Sequence, residues 1–284
     1  MYISGELLQS LAEVTVTTKD KLKGHKKVNN FVNKKIIIDT DKEFSNENKS
    51  MINNYKIIFV YSDFLEYFFN KIMNHINNKF ILISHNGDIG ANSHFITYLS
   101  NEKLVKWYSN NIYFNHDKLV ALPIGIANSQ WKHGNMNLLE KIINQKNKKT
   151  NLLHANFSLK TAECRKNIKN IIENNFGKIY NKKTSQEEYL IELSKNKFCL
   201  SPPGNGIDCH RTWEALYLGV IPIVKSHPHN LYFQNLPILI VNDWNILTPN
   251  YLNKMYDEFQ KKEFDMNFLT IEYWKSLIQN NNLI

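Results

Sequence analysis

Arg211 and Glu214 stand one helical turn apart just after the turn Ser201-Pro202-Pro203-Gly204-Asn205-Gly206, a pairing suited to holding a phosphorylated ligand. A guanidinium forks onto phosphate oxygens, and a carboxylate one turn on can accept hydrogen bonds from sugar hydroxyls. Asp208 and His210 add polar groups at the same end of the helix. The elements that must place these side chains are legible around them. Phe198-Cys199-Leu200 reads as a strand delivering the chain to the turn, where glycine supplies positive φ and close backbone approach. The helix is expected to open at Asp208 as its N-cap and to close at Gly219 in the C′ position, before a strand Ile221–Val224. Trp213, Ala215, Leu216 and Leu218 leave it little solvent face, so its N-terminus should look out at the carboxyl ends of the strands, where a helix dipole attracts anions.

The turn is not one of the better known glycine motifs. Gly204-Asn205-Gly206 begins like G-x-G-x-x-G but puts Cys209 at the third glycine, and the next strand ends in Lys225 where an acid would hold a ribose. No Walker lysine follows. Three cysteines, Cys164, Cys199 and Cys209, lack the spacing of a zinc or redox motif and are too few for a disulfide framework, which fits a reducing compartment. The net charge of +9 is spread along the chain without an arginine-rich arm, zinc finger or ribonucleoprotein signature. No apolar stretch reaches spanning length, and the start MYISGELLQSLAEV is not a signal peptide, so the expected protein is soluble and cytoplasmic with no transmembrane segment.

Strand-like runs alternate with helical stretches, the rhythm of an α/β protein with parallel sheets. Residues 35–39, 56–61, 80–84 and 119–126 are the strands expected in the first half, with a helix over 64–76. A polar, lysine-rich stretch over 128–149 marks the boundary, and 151–157, 162–174, 187–195, the glycine-turn unit and 238–241 follow as strand, helix, helix and strands. The expectation is two Rossmann-like domains, 1–135 and 136–263, with a C-terminal helix in 264–284 that could cross back to the first.

SPPGNGIDCHRTWEALYLGVIPIV resembles the donor-binding signature of the exostosin-like glycosyltransferases, and KLVALPIGIANSQWKHGN and ANFSLKTAECRK resemble two further blocks of its small soluble members, including those of large DNA viruses. The resemblance runs in patches from Ser84 to Val224. It implies a GT-B architecture, two Rossmann-like domains facing a central cleft, and an inverting, metal-independent transfer from a nucleotide sugar, UDP-sugar first among donors, to a glycan hydroxyl. It also implies that Arg211 and the amides of Gly204, Asn205 and Gly206 hold the diphosphate and Glu214 the ribose, with Asn156, Phe157, Arg165, Asp208 and His210 on the donor side.

An inverting transfer needs a base for the acceptor hydroxyl. Asp88 in Ser84-His85-Asn86-Gly87-Asp88 is the first candidate and His85 the second, because this loop follows a strand at its carboxyl end. Asn86, Ser62 and Asp63 should border the acceptor, the last two also as a helix N-cap. Asp39-Thr40-Asp41 spells a D-x-D but is set aside, and His227-Pro228-His229 reads as a surface loop rather than a metal pair. Core packing is the default for Trp107, Tyr108, Trp131 and Trp274. Two other readings stay open: a nucleotide-sugar or glycan binding protein without turnover, and a basic nucleic-acid-binding protein.

Overall fold

Ile57–Tyr61 and Phe80–His85 are buried at every position, the pattern of strands covered on both faces of a parallel sheet. A computed structural model describes residues 1–24, 34–177 and 184–281. They form a mixed α/β chain that divides into two compact units, Met1–Gly134 with Thr270–Ile284, and Asn135–Leu269. No described helix is long and apolar enough to cross a membrane.

The first unit holds β1 (Val14–Thr18), β2 (Lys35–Ile38), β3 (Ile57–Tyr61), β4 (Phe80–His85), β5 (Leu104–Ser109) and β6 (Leu119–Ala121) in a parallel sheet of order β2-β1-β3-β4-β5-β6. The order reverses between β1 and β3, and ligands of open α/β sheets lie outside the carboxyl ends of the strands at such a switch point. Lys21, after β1, and Asp63, after β3, meet there at 2.6 Å.

The strand expected over 119–126 ends at Ala121. Pro123 lacks an N–H for the ladder, and Gly125 takes φ +67 where a Cβ would stand 2.4 Å from the Ile3 carbonyl. The helix expected over 64–76 is a composite: 3-10 turns at Ser62–Phe64 and Met73–His75, an α turn at Leu65–Tyr67 and a π turn at Phe68–Ile72. The widened π turn lets the consecutive Phe68 and Phe69, with Ile72, all reach the core. There Phe69 packs on Trp107 and Tyr98.

The helix Ile271–Asn281 belongs to this unit, with Trp274 and Ile278 fully buried. Asn281 Nδ2 donates to the Tyr108 hydroxyl at 2.8 Å, and burial pushes that phenol up to about 12. Residues 282–284 of the expected C-terminal helix lie outside the described residues.

The second unit holds β7 (Asn151–His154), β8 (Asn196–Leu200), β9 (Ile221–Lys225) and β10 (Leu239–Val241) in a parallel sheet of order β10-β9-β8-β7. Phe198, Leu200, Ile223, Leu239, Val241, Leu247 and Leu252 form its core. The polar stretch over 128–149 contains the helix Met136–Asn144, capped by Asn135 Oδ1 on Leu138 N and burying Leu139 and Ile142.

Candidate functional site

In the second unit the chain leaves β8 through Ser201-Pro202-Pro203-Gly204 and enters the helix His210–Tyr217. The helix ends as its sequence indicates: Gly219 has φ +65, and the amides of Val220 and Gly219 bond to the carbonyls of Ala215 and Leu216, a Schellman closure. Its start differs from expectation. Cys209, not Asp208, is the N-cap residue, and no side chain caps the first amides. Asp208 is turned inward, 5 % exposed, accepting from Cys209 N and from Trp213 Nε1 at 2.8–2.9 Å. A fully buried His229 places Nε2 3.3 Å from Asp208 Oδ2. His227-Pro228-His229 is therefore not a surface loop: His227 caps the helix Pro228–Tyr232 and His229 is part of the core. A carboxylate so enclosed fixes the start of the helix and does not face a donor.

Gly204 lies outside the left-handed region. A Cβ there would stand 3.1 Å from Arg165 Nη2, a tight contact that would make the Arg165 fork give by a few tenths of an ångström. Arg165, expected to line the donor, spends its fork on the backbone: Nε donates to Pro203 O at 2.8 Å, Nη2 to Pro202 O at 3.1 Å and Nη1 to Ser158 O at 3.0 Å. It is a positioning residue for the turn. Phe157 is 5 % exposed and belongs to the core, its ring serving both Arg165 and Arg211. Asn156, Asn205 and His210 remain partly or fully exposed at the carboxyl ends of the strands.

Arg211 is the cation left for a ligand. Its Nε is buried with no hydrogen-bond partner. Burial alone would lower its guanidinium's pKa, but the negative charges that Tyr189, Cys199, Cys209 and Glu214 carry at high pH outweigh it and leave the pKa above its ordinary value. Burial pushes the Cys199 thiol up to about 12 and raises the Tyr189 phenol and Cys209 thiol, so these three stay protonated at neutral pH. Glu214 is itself fixed, accepting from the Tyr189 hydroxyl at 3.0 Å and from Gln186 Nε2 at 3.4 Å. Tyr189 and Gln186 escaped the sequence reading because they sit on another helix, Gln186–Ser194, whose spacing carries no motif. His154 at the end of β7 was missed for the same reason. It is 6 % exposed, its Nε2 has no hydrogen-bond partner, and burial together with the Arg211 charge pushes it down to about 4.

In the first unit, the loop after β4 is held from below. Asn86 takes φ +60 and donates to Gln9 Oε1 at 2.9 Å, while its Oδ1 accepts from Asn128 Nδ2 at 2.9 Å. Gly87 and Gly90 have no room for a side chain, a Cβ falling 2.5 Å from Asp63 Oδ1 and 1.9 Å from Asn111 O. Asn110 Nδ2 donates to Gly87 O and Asn111 Nδ2 to Asp88 O. The loop thus presents an exposed Asp88 from a fixed backbone. Asp88 is close enough to Tyr113 to add to the upward shift that burial gives that phenol.

His85 does not share the role expected for it. It is 2 % exposed, with Nε2 donating to Pro123 O at 3.0 Å and Nδ1 accepting from Asn86 N at 2.7 Å, so neither ring nitrogen is placed to take a substrate proton. Ser62 is fully buried, donating to Asn110 Oδ1, and neither it nor Asp63 caps a helix. Asn86 is likewise a loop anchor. Asp63 keeps an accessible position at the switch point, paired with Lys21.

Trp107, Tyr108 and Trp274 are core residues, whereas Trp131 is 54 % exposed, stacked on His133. Asp39 pairs with Lys42 and accepts from Asp41 N. Among the described residues no three or more His, Cys, Asp or Glu side chains gather as a metal site. No protein-family model matches the chain, and no curated protein matches it.

Proposed function

We propose that the chain is a glycosyltransferase of the exostosin-like kind, moving one sugar from a nucleotide sugar, a UDP-sugar first, to a glycan hydroxyl with inversion. In this reading the two units are the acceptor and donor domains of a GT-B enzyme. The observation that carries it is Arg211, a buried guanidinium with an unsatisfied Nε beside the uncapped start of the helix His210–Tyr217. A buried cation with an orphaned donor is costly, and a diphosphate would satisfy it. The helix amides, the turn and Arg211 together offer the positive charge that a departing nucleoside diphosphate needs without drawing on a metal ion. In this reading Glu214, held by Tyr189 and Gln186, is the carboxylate that would accept from a ribose hydroxyl once the bound donor displaces one of those two partners.

Asp88 serves as the base. Its loop is rigid and its carboxylate accessible, so it can meet the acceptor hydroxyl without reorganising. The direct test is thermal shift of the purified protein with UDP and a panel of UDP-sugars, with and without EDTA, followed by transfer assays with the sugar that binds. Stabilisation that survives EDTA supports the reading, and no shift with any nucleotide removes it. A protein that binds a UDP-sugar but transfers to no acceptor is the binding protein without turnover.

A further inference from the structure

The His210–Tyr217 helix start has a second orphaned polar group beside Arg211, and it titrates. His154 lies at the carboxyl end of β7, paired in register with Cys199 of β8, its ring edge-on to Tyr189 at 5.6 Å. It also lines a cavity of about 500 Å³ with Asn156, Ile172, Phe176, Glu192 and Lys195. A neutral imidazole buried without a partner for Nε2 is as incomplete as a guanidinium buried without one for Nε. His154 ends β7 beside Cys199 of β8, and Arg211 lies in the first turn of the helix that follows β8.

Resting on the donor-site reading above, we propose that the anion held by Arg211 also accepts a hydrogen bond from His154, and that His154 takes up one proton from solvent as that anion binds. The physical reason is reciprocal. In the free protein, burial and the Arg211 charge hold the ring neutral, down to about 4. A diphosphate placed against Arg211 cancels that repulsion and adds an acceptor, so the charged imidazolium becomes the favoured form.

The other groups packed round His154 do not take its place. Tyr189 stays a phenol, its pKa raised mainly by burial and by Glu214, and the Cys199 thiol is pushed up to about 12 by burial. Glu214 bonds to Tyr189, Glu192 and Lys195 line the same cavity as His154, and to that lining the helix Cys164–Phe176 contributes the apolar Ile172 and Phe176. His154 is thereby a specificity element for an anion, active on the acid side of neutrality and silent above it.

The probe is a UDP-sugar, UDP-glucose first, whose diphosphate has no free terminal phosphate to titrate near neutrality. Its affinity measured by calorimetry at pH 7.5 and 5.5 should rise about tenfold on acidification, the effect of an imidazole returning to about its unperturbed value of 6.5 in the complex. At pH 5.5, repeating the titration of the wild-type protein in two buffers of different ionisation enthalpy should show nearly one proton taken up per UDP-sugar bound, a readout that needs no variant. His154→Gln should bind with an affinity that no longer changes between the two pH values. Binding with no proton uptake, or a pH dependence that survives His154→Gln, overturns the proposal and leaves the donor site standing. Absence of binding by any UDP-sugar at either pH overturns the donor site itself.

Discussion

Arg165 and Arg211 share one aromatic ring: their guanidinium carbons stand 5.7 and 5.9 Å from the centre of Phe157. They nonetheless do opposite work. Each nitrogen of Arg165 donates to a carbonyl, of Ser158, Pro202 or Pro203, while Arg211 has a buried Nε with no partner.

That asymmetry separates stability from binding. Arg165→Ala leaves three carbonyls without their charged donor and should destabilise the protein by about 3 kcal/mol, with Arg165→Lys recovering only part because an ammonium cannot reproduce the fork. Arg211→Met keeps an apolar stem over Phe157 and gives up no hydrogen bond at Nε, so its melting temperature should stay near that of the parent. UDP should stabilise the Arg165→Lys protein measurably and the Arg211→Met protein not at all. Equal losses of melting temperature in Arg165→Ala and Arg211→Met would contradict this division of roles.

The same logic divides the acceptor loop. Asp88→Asn preserves shape and the backbone bonds from Asn110 and Asn111, so UDP binding should be unchanged while transfer falls about a hundredfold or more. His85→Gln, by contrast, disturbs a buried ring bonded to Pro123 and Asn86, and its effect should appear in the melting temperature. If Asp88→Asn retains full transfer activity, the base lies elsewhere.

Asp208 is one of the residues whose expected role the structure corrects, and the correction is testable. Asp208→Ala strands the indole N–H of Trp213 and the His229 ring in the core, and should cost about 3 kcal/mol. Asp208→Asn keeps an acceptor for Trp213 and should recover part of that. Urea denaturation of the two variants measures the difference, and a parent-like Asp208→Ala protein would show that the buried carboxylate adds nothing.

What could be read from the chain follows from how local the signal is. β3 and β4 announce themselves as IIFVY and FILISH because both faces of a parallel strand are buried. β1 does not, since VTVTT buries Thr15 and Thr17 and so reads as polar alternation. The turn and the helix His210–Tyr217 were legible because glycine, proline and a C′ glycine act over a few residues. The inward turn of Asp208 was not, because the histidine that meets it lies 21 positions on, in a stretch whose Pro-flanked histidines look exposed. His154, Tyr189 and Gln186 were likewise set by the packing of β7 and the Gln186–Ser194 helix against the site, a relationship with no spacing to detect.

Lys149 carries a prediction of the same non-local kind. Its ammonium donates to Ser194 O and to Leu218 O, both at 2.7 Å, closing the carboxyl ends of the helices Gln186–Ser194 and His210–Tyr217 together. Those helices hold Tyr189 and Gln186 on one side and Arg211 and Glu214 on the other. Lys149→Met should cost about 2 kcal/mol in stability through the two lost charge-assisted bonds. It should also weaken UDP binding without touching the ligand, by loosening the two helices relative to each other. A destabilised variant with parent affinity for UDP would confine Lys149 to folding.

His154 makes the second unit acid-sensitive. In the folded chain its imidazole is pushed down to about 4, by burial first and then by Arg211, whereas in the unfolded chain it titrates near 6.5. Between those values the unfolded chain binds a proton that the folded chain refuses. Stability from this group is therefore complete above pH 6.5 and is lost as the pH falls toward 4, by about 3 kcal/mol over the window. His154→Gln has no such proton to refuse, so its unfolding free energy should decline less than the parent's between pH 7 and pH 4. The comparison cancels the other histidines, which both proteins share. Urea denaturation at a series of pH values reads the two slopes, and parallel curves would mean that the buried ring titrates alike in the folded and unfolded chains.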